Sequence, residues 1–297
     1  MKRRILNIAV FRKETLYQKM RALIIYLVIS AVFIGCTPIL SIDASTQNVY
    51  HFSDTDKNIS LLDISETFGT YDGSFVLYDN NLDSWKIYDL EEATKRIPPE
   101  STYKIYDALL GLESGIITPE HSSMTWNGDA FPFPSWEADQ DLNSAMQNSV
   151  NWYFQAIDSQ LGINRVQEFL NKIEYGNQTT SSNLDLYWSD FSLKISPLEQ
   201  VTLLKKFNTN EFHLNFQNVF SVKNAIKIAS TPNGNFYGKT GTGRVNGQDI
   251  NGWFIGYVET SDNSYYFATN IQSDSNATGK KAFEITSDIL KKLHIWN

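Results

Sequence analysis

The sequence predicts an α+β domain built on a mostly antiparallel sheet flanked by helices, with one transmembrane helix ahead of it. Three observations predict this. Residues 22–42 form an uncharged, mostly apolar run. Beyond them, strand-like alternation comes first, then a block of helical periodicity, then three more strand-like stretches and a closing helical one. Strands and helices segregated in this way belong to α+β architecture, and the two ends of the body are expected to meet in one sheet. The composition also suits a substantial core, with 297 residues, 42% hydrophobic and 13% aromatic. That excludes wholesale disorder, and 16 Gly with 8 Pro exclude collagen-like repeats. The length fits one large domain or two smaller ones.

Residues 1–21 carry seven basic side chains and one acid, and residues 22–42 carry no charge. A run of that length makes about 30 Å of helix, enough to cross the hydrocarbon core of a bilayer. Since the basic flank precedes the span, residues 1–21 are expected in the cytoplasm and the acidic body outside the cell membrane, as a single-pass protein. Two other readings stay open. Phe33-Ile34-Gly35-Cys36 loosely fits a lipoprotein signal ending at Cys36, and a cleaved signal peptide would need an unusually long basic start. All three put the body on the outer side.

Residues 43–69 read as a polar juxtamembrane segment, with strand-like pieces such as 49–52, and residues 70–297 as the domain proper. In the latter, 74–79 and 84–89 alternate aromatic and β-branched residues around Asn80-Asn81-Leu82-Asp83, a hairpin signature. Pro98-Pro99 punctuates the chain, and a helix is expected from near Ser101 to Leu112. Residues 113–140 and 174–192 are loop-like. Helical stretches are expected over 142–161, 163–173, 197–207 and 219–230, strands over 236–243, 251–259 and 264–272, and a final helix over 280–293.

The net charge of −8 conceals a more acidic body, because the N-terminal segment is basic. Phosphate contacts need clustered Lys and Arg, so no nucleic-acid partner is expected. The single cysteine excludes an internal disulfide framework and a cysteine-based zinc site. Four scattered histidines without H-E-x-x-H leave no metalloprotease signature, and no metal is expected.

Three short motifs stand in order: Ser101-Thr102-Tyr103-Lys104 (S-x-x-K), Ser149-Val150-Asn151 (S-x-N) and Lys239-Thr240-Gly241 (K-T-G). Singly, each has an ordinary reading: an N-cap serine, a solvated helix lysine, a satisfied polar group, an exposed strand charge. Jointly, with S-x-x-K opening a helix and K-T-G on a strand, they point to nucleophilic chemistry. A serine hydroxyl is a weak nucleophile and needs a base. Residues i and i+3 share a helix face, so Lys104 can reach Ser101. Lysine acts as a base only when neutral, which requires burial or a nearby positive charge. Lys239 can supply that charge and attract a substrate carboxylate. The Ser101 N–H at the positive end of the helix and the Thr242 N–H on the strand are candidates for an oxyanion hole, and Gly241 permits close approach.

The motif set resembles the penicillin-recognising serine acyltransferases, namely penicillin-binding proteins and serine β-lactamases. Tyr175-Gly176-Asn177, the run Tyr187-Trp188 through Leu193-Lys194-Ile195-Ser196 to Glu199-Gln200, and Gly252-Trp253-Phe254-Ile255-Gly256-Tyr257 narrow this to a class D (OXA-type) domain. Ser101-Thr-Tyr-Lys-Ile-Tyr106, residues 140–154 and Tyr237-Gly-Lys-Thr-Gly-Thr-Gly243 are most similar to the sensor domain of BlaR/MecR-type β-lactam sensor-transducers, and residues 1–42 resemble the last transmembrane helix of those proteins.

The resemblance implies a serine β-lactamase or transpeptidase-like fold and β-lactam antibiotics as ligands. It also implies acylation at Ser101, Lys104 as base, Ser149 as proton relay, and Lys239, Thr240 and Thr242 as groups binding the drug. It further implies that Lys104 can carry a CO2-derived carbamate, hydrogen-bonded by the tryptophan at position 188. Asn151 departs from the apolar residue usual in class D hydrolases. By hydrogen-bonding the free lysine it would disfavour the carbamate and stall release of the acyl group. A second departure lies near the last helix, where Lys280 and Lys281 stand in place of an arginine that class D enzymes use for the drug's carboxylate. Complete transducers also carry more membrane helices and a cytoplasmic zinc protease, so three readings stand: a fragment of such a protein, a split sensor working with a separate zinc-protease or signalling component, or a decoy. A slow-releasing receptor, a class D hydrolase and a non-acylating interaction module all remain open.

Overall fold

The computed structural model describes residues 58–296. The expected span at 22–42, and the strand-like piece at 49–52, lie outside the described residues. No helix among the described residues is long and apolar enough to cross a membrane.

The elements run in order as β1 (Ile59–Leu61), α1 (Ser65–Phe68), β2 (Asp72–Asp79), β3 (Ser84–Tyr88) and α2 (Leu90–Thr94), followed by a 3-10 turn at Glu100–Tyr103. The helical block comprises α3 (Lys104–Glu113), α4 (Leu142–Gln147), α5 (Asn151–Leu161), α6 (Ile163–Ile173), α7 (Pro197–Asn208) and α8 (Phe216–Ala225). Then come β4 (Lys227–Thr231), β5 (Gly234–Val245), β6 (Gln248–Glu259), β7 (Ser264–Gln272) and α9 (Gly279–Lys292). The seven-stranded sheet has the order β1-β3-β2-β7-β6-β5-β4. Only the β1–β3 pair is parallel, so the sheet is mixed but mostly antiparallel. The early strand β2 and the late strand β7 are direct neighbours, with Phe75 opposite Thr269.

Strand alternation divides the core in two. Val76, Tyr78, Trp253 and Ile255 face one way, onto the helical block. Phe75, Leu77, Phe254 and Phe267 face the other, onto α9. That helix buries Ala282, Ile285, Ile289 and Leu290, the spacing of one helical face. In the block, α6 does the same with Val166, Phe169, Leu170 and Ile173. Helix starts are set locally. Ser196 and Glu199 form a reciprocal capping box with Pro197 at the first turn of α7, and Asp141 with Ser144 does so at α4.

Two element boundaries differ from expectation. The stretch 142–161 is not one helix: α4 stops at Gln147, Ser149 takes a left-handed backbone (φ 56), and α5 begins at Asn151. The helix expected over 219–230 ends at Ala225, and 227–231 form strand β4. Residues 227–231 instead satisfy their main-chain groups by pairing with β5 across the Pro232-Asn233 turn. Within the stretch expected to be juxtamembrane, β1 pairs with β3 at the sheet's edge.

Candidate active site

The turn Glu100–Tyr103 is held from several directions. Thr102 Oγ1 donates to the Pro99 carbonyl at 2.6 Å, and Gln200 Nε2 from α7 donates to Thr102 Oγ1 at 2.9 Å. Trp253 Nε1 on β6 donates to the Pro98 carbonyl at 2.8 Å. The turn lies so close to β5 that a Cβ placed on Gly241 would sit 3.2 Å from the Ser101 nitrogen.

Lys104 is fully buried and projects one turn back to Ser101. Its Nζ donates to Ser101 Oγ at 2.7 Å and to Asn151 Oδ1 at 2.6 Å, with Ser149 Oγ at 3.5 Å. From the strand side, Lys239 Nζ donates to Ser149 Oγ at 2.9 Å and to the Thr240 carbonyl at 3.0 Å. The helix break described above is what brings Ser149 and Asn151 between the two lysines. Burial, reinforced by the charge of Lys239, pushes the Lys104 amine well below the usual lysine range; Asp107 and Glu100 act in the opposite direction. Burial also brings Lys239 down to about 7. Lys104 is thus placed to be a neutral amine beside a hydroxyl, which is what general-base activation requires.

These groups open into a cleft of about 340 Å³. Ser101, Ser149 and Asn151 line it together with Thr240 and Thr242 of β5 and the aromatic rings of Phe133 and Trp136. The aromatic wall is fixed: Trp136 Nε1 donates to the Asn148 carbonyl at 3.0 Å, and Trp152 Nε1 donates to the Trp136 carbonyl at 2.9 Å. Thr242 Oγ1 accepts from the Gly279 N–H at 2.8 Å, tying the start of α9 to the strand.

Ser101, Lys104, Ser149, Asn151, Lys239, Thr240, Gly241 and Thr242 therefore converge. Trp188 meets the same turn through its backbone and its ring. Its carbonyl accepts from the Glu100 N–H at 3.1 Å and its ring stacks on Tyr103, with centroids 6.2 Å apart. The oxygens to which Lys104 donates are those of Ser101, Ser149 and Asn151. A CO2-derived carboxylate on Nζ would meet the Asn151 amide oxygen as it is turned here, whereas the free amine donates to it, so this arrangement suits the free amine. Behind Trp188, Asn177 fixes the loop by accepting from the Lys194 N–H at 2.8 Å and donating to the Ser192 carbonyl at 2.7 Å. Gly176 is needed there, since a Cβ would lie 1.9 Å from the Lys194 oxygen.

Several cleft residues had no sequence signal strong enough to mark them. Arg244 lines the cleft and is held by Asp249, Nε to Oδ1 at 2.7 Å. Lys280 and Lys281 do not line it, and Lys281 pairs with the exposed Glu284 at 3.4 Å. Phe133 and Trp136 fall in a stretch legible only as a loop. Among the described residues no cluster of His, Cys, Asp and Glu could hold a metal ion.

Residues 70–291 match the family described as the penicillin binding protein transpeptidase domain. The regulatory protein BlaR1 of Bacillus licheniformis is 44% identical over 298 residues, covering 99% of this chain and 49% of that protein. The chain thus spans about half the length of this curated relative. The probable beta-lactamase YbxI of Bacillus subtilis is 37% identical over 79% of this chain and 86% of its own. Among solved structures, the C-terminal domain of the Bacillus licheniformis BlaR penicillin-receptor superposes with a TM-score of 0.79 at 46% identity, covering 81% of this chain and 98% of that one. Fold, cleft and sequence agree, and the chain belongs to the penicillin binding protein transpeptidase domain family, in its BlaR/MecR-type branch.

Proposed function

We propose that this chain is a β-lactam receptor that traps penicillins and cephalosporins as a long-lived ester on Ser101, in β-lactam resistance signalling. The observation that carries this reading is the sharing of one buried amine, Lys104 Nζ, between Ser101 Oγ and Asn151 Oδ1. Neutral Lys104 takes the Ser101 proton as Oγ attacks the β-lactam carbonyl carbon. The ring C–N bond breaks, and the proton passes from Lys104 through Ser149 to the departing ring nitrogen. The Ser101 and Thr242 N–H groups hold the carbonyl oxygen as it becomes negative; one such donor contributes about 10²–10³ in rate in related chemistry. Lys239, Thr240 and Arg244 face the drug's carboxylate. Release of the acyl group needs a base to activate water, and Asn151, by accepting from the free Lys104 amine, disfavours the carbamate that would serve as that base.

In this reading, residues 1–21 lie in the cytoplasm, 22–42 cross the membrane, and the folded body from residue 58 on lies outside; a zinc protease or other signalling component, on this chain or another, receives the signal. A fluorescent penicillin tests the core of it. The chain should be labelled in a 1:1 ratio and stay labelled, and Ser101→Ala should not label. Equal labelling of Ser101→Ala would overturn the assignment. The second reading, a class D β-lactamase, is favoured by the similarity to YbxI, and continuous hydrolysis of a chromogenic cephalosporin would select it.

A further inference from the structure

The residue just before the nucleophile is a buried glutamate in an unfavourable backbone conformation. Glu100 has φ 53, a region that side-chain-bearing residues adopt at a cost, and its side chain is only 6% exposed. Its N–H is anchored to the Trp188 carbonyl. Its carboxyl runs under β5. A Cβ on Gly243 would fall 2.4 Å from Glu100 Oε1, and one on Gly241 would fall 3.0 Å from Glu100 Cβ. Both glycines of the Gly-Thr-Gly strand are thus occupied, on the side where other residues carry a side chain, by this glutamate. Asn251 Nδ2 on β6 donates to Glu100 Oε1 at 3.2 Å and to the Pro98 carbonyl at 3.1 Å. Asn270 Nδ2 on β7 donates to Asn251 Oδ1 at 2.9 Å.

We propose that Glu100 is a positioning residue for acyl transfer: its carboxyl, wedged between the Ser101 turn and the strand that carries Thr242, sets the spacing of nucleophile and oxyanion donors. This rests on the acylation reading above. The protonation state matters because the carboxyl lies against the backbone flanking Thr242, where negative charge builds on the substrate oxygen. Burial pushes the carboxyl up to about 8, against the opposing effects of the Asn251 amide and the Lys104 charge. The other charged group at the small cavity beside it is Arg244; its remaining neighbours there include the neutral Ser189, Asn251 and Gln272. At neutral pH the group is an uncharged acid that fills space and accepts one hydrogen bond. As a carboxylate it would oppose the oxyanion.

The experiment compares acylation rate constants of the intact chain and Glu100→Gln with a fluorescent penicillin between pH 6 and 9. Glutamine mimics the neutral acid, and the ratio of the two constants removes the titration that both proteins share, leaving what the Glu100 charge itself causes, its pull on Lys104 included. The ratio should be near one at pH 6 and rise about tenfold by pH 9, as a single group ionising near 8 requires. A ratio constant across the range overturns the proposal while leaving acylation itself intact; absence of label on the unaltered chain would instead sink the receptor reading. Asn251→Ala provides a second variant should Glu100→Gln misfold. Losing that donor disfavours the carboxylate, so the alkaline fall in rate should move to higher pH. A uniform loss of rate with an unmoved profile would mean that the contact is only structural.

Discussion

The Asn151 amide oxygen lies 2.6 Å from Lys104 Nζ, as close as the Ser101 hydroxyl at 2.7 Å. The contact suits a free amine, which can take one proton from serine, and disfavours the carbamate that would activate a water afterwards. Asn151→Val removes the competing acceptor. Decay of the acyl adduct should accelerate about a hundredfold or more, the scale of general-base assistance. Intact-mass measurement over time checks this, and an unchanged lifetime would mean that the amide is not the brake.

Lys239 tunes Lys104 from across Ser149. Its positive charge disfavours a second one nearby, so it helps keep Lys104 neutral. In Lys239→Ala the acidic limb of the acylation profile should shift to higher pH, because Lys104 then holds its proton more strongly. A limb that stays put would show that burial alone sets the amine.

Arg244 is the guanidinium in the cleft, where lysines near the last helix were the sequence expectation. Arg244→Ala should slow acylation by a penicillin bearing a free carboxylate about tenfold, the scale of one charge-assisted hydrogen bond. The corresponding methyl ester should react at an unchanged rate. Equal slowing of both would assign Arg244 to the loop's shape instead.

Stability should depend on a pair distant from the chemistry. Glu199 accepts from Arg96 Nε at 3.0 Å on both carboxylate oxygens while it caps α7 through Ser196. Both partners are mostly buried, so Glu199→Ala strands a charge and should lower unfolding free energy by about 3 kcal/mol. Urea denaturation measures this, and a loss below about 1 kcal/mol would assign the pair to a solvated surface.

Motif spacing made much of the cleft legible in advance. Ser101 and Lys104 follow from helix geometry alone, and Lys239 to Thr242 from strand context. The helical block, the hairpin and the three late strands follow from periodicity. What escaped depends on contacts remote in sequence. The break at Ser149 needs a left-handed backbone at a serine, which local propensity disfavours. Strand β4 needs its partner β5 before 227–231 can leave the helix. Glu100 looks like an ordinary charged residue before a helix until Gly241 and Gly243 are laid over it. Arg244 and Asp249 meet only because β5 and β6 fold back on each other.

The adjacency of β2 and β7 has a consequence for biogenesis. Partners such as Phe75 and Thr269 are separated by about two hundred positions, and sheets closed by such distant segments assemble slowly. The Lys-Thr-Gly strand and its neighbours emerge late from the ribosome. A chain that has made the Ser101 turn but not yet β5 lacks the wall that Thr240 and Thr242 supply, so the cleft takes shape only once both segments are present.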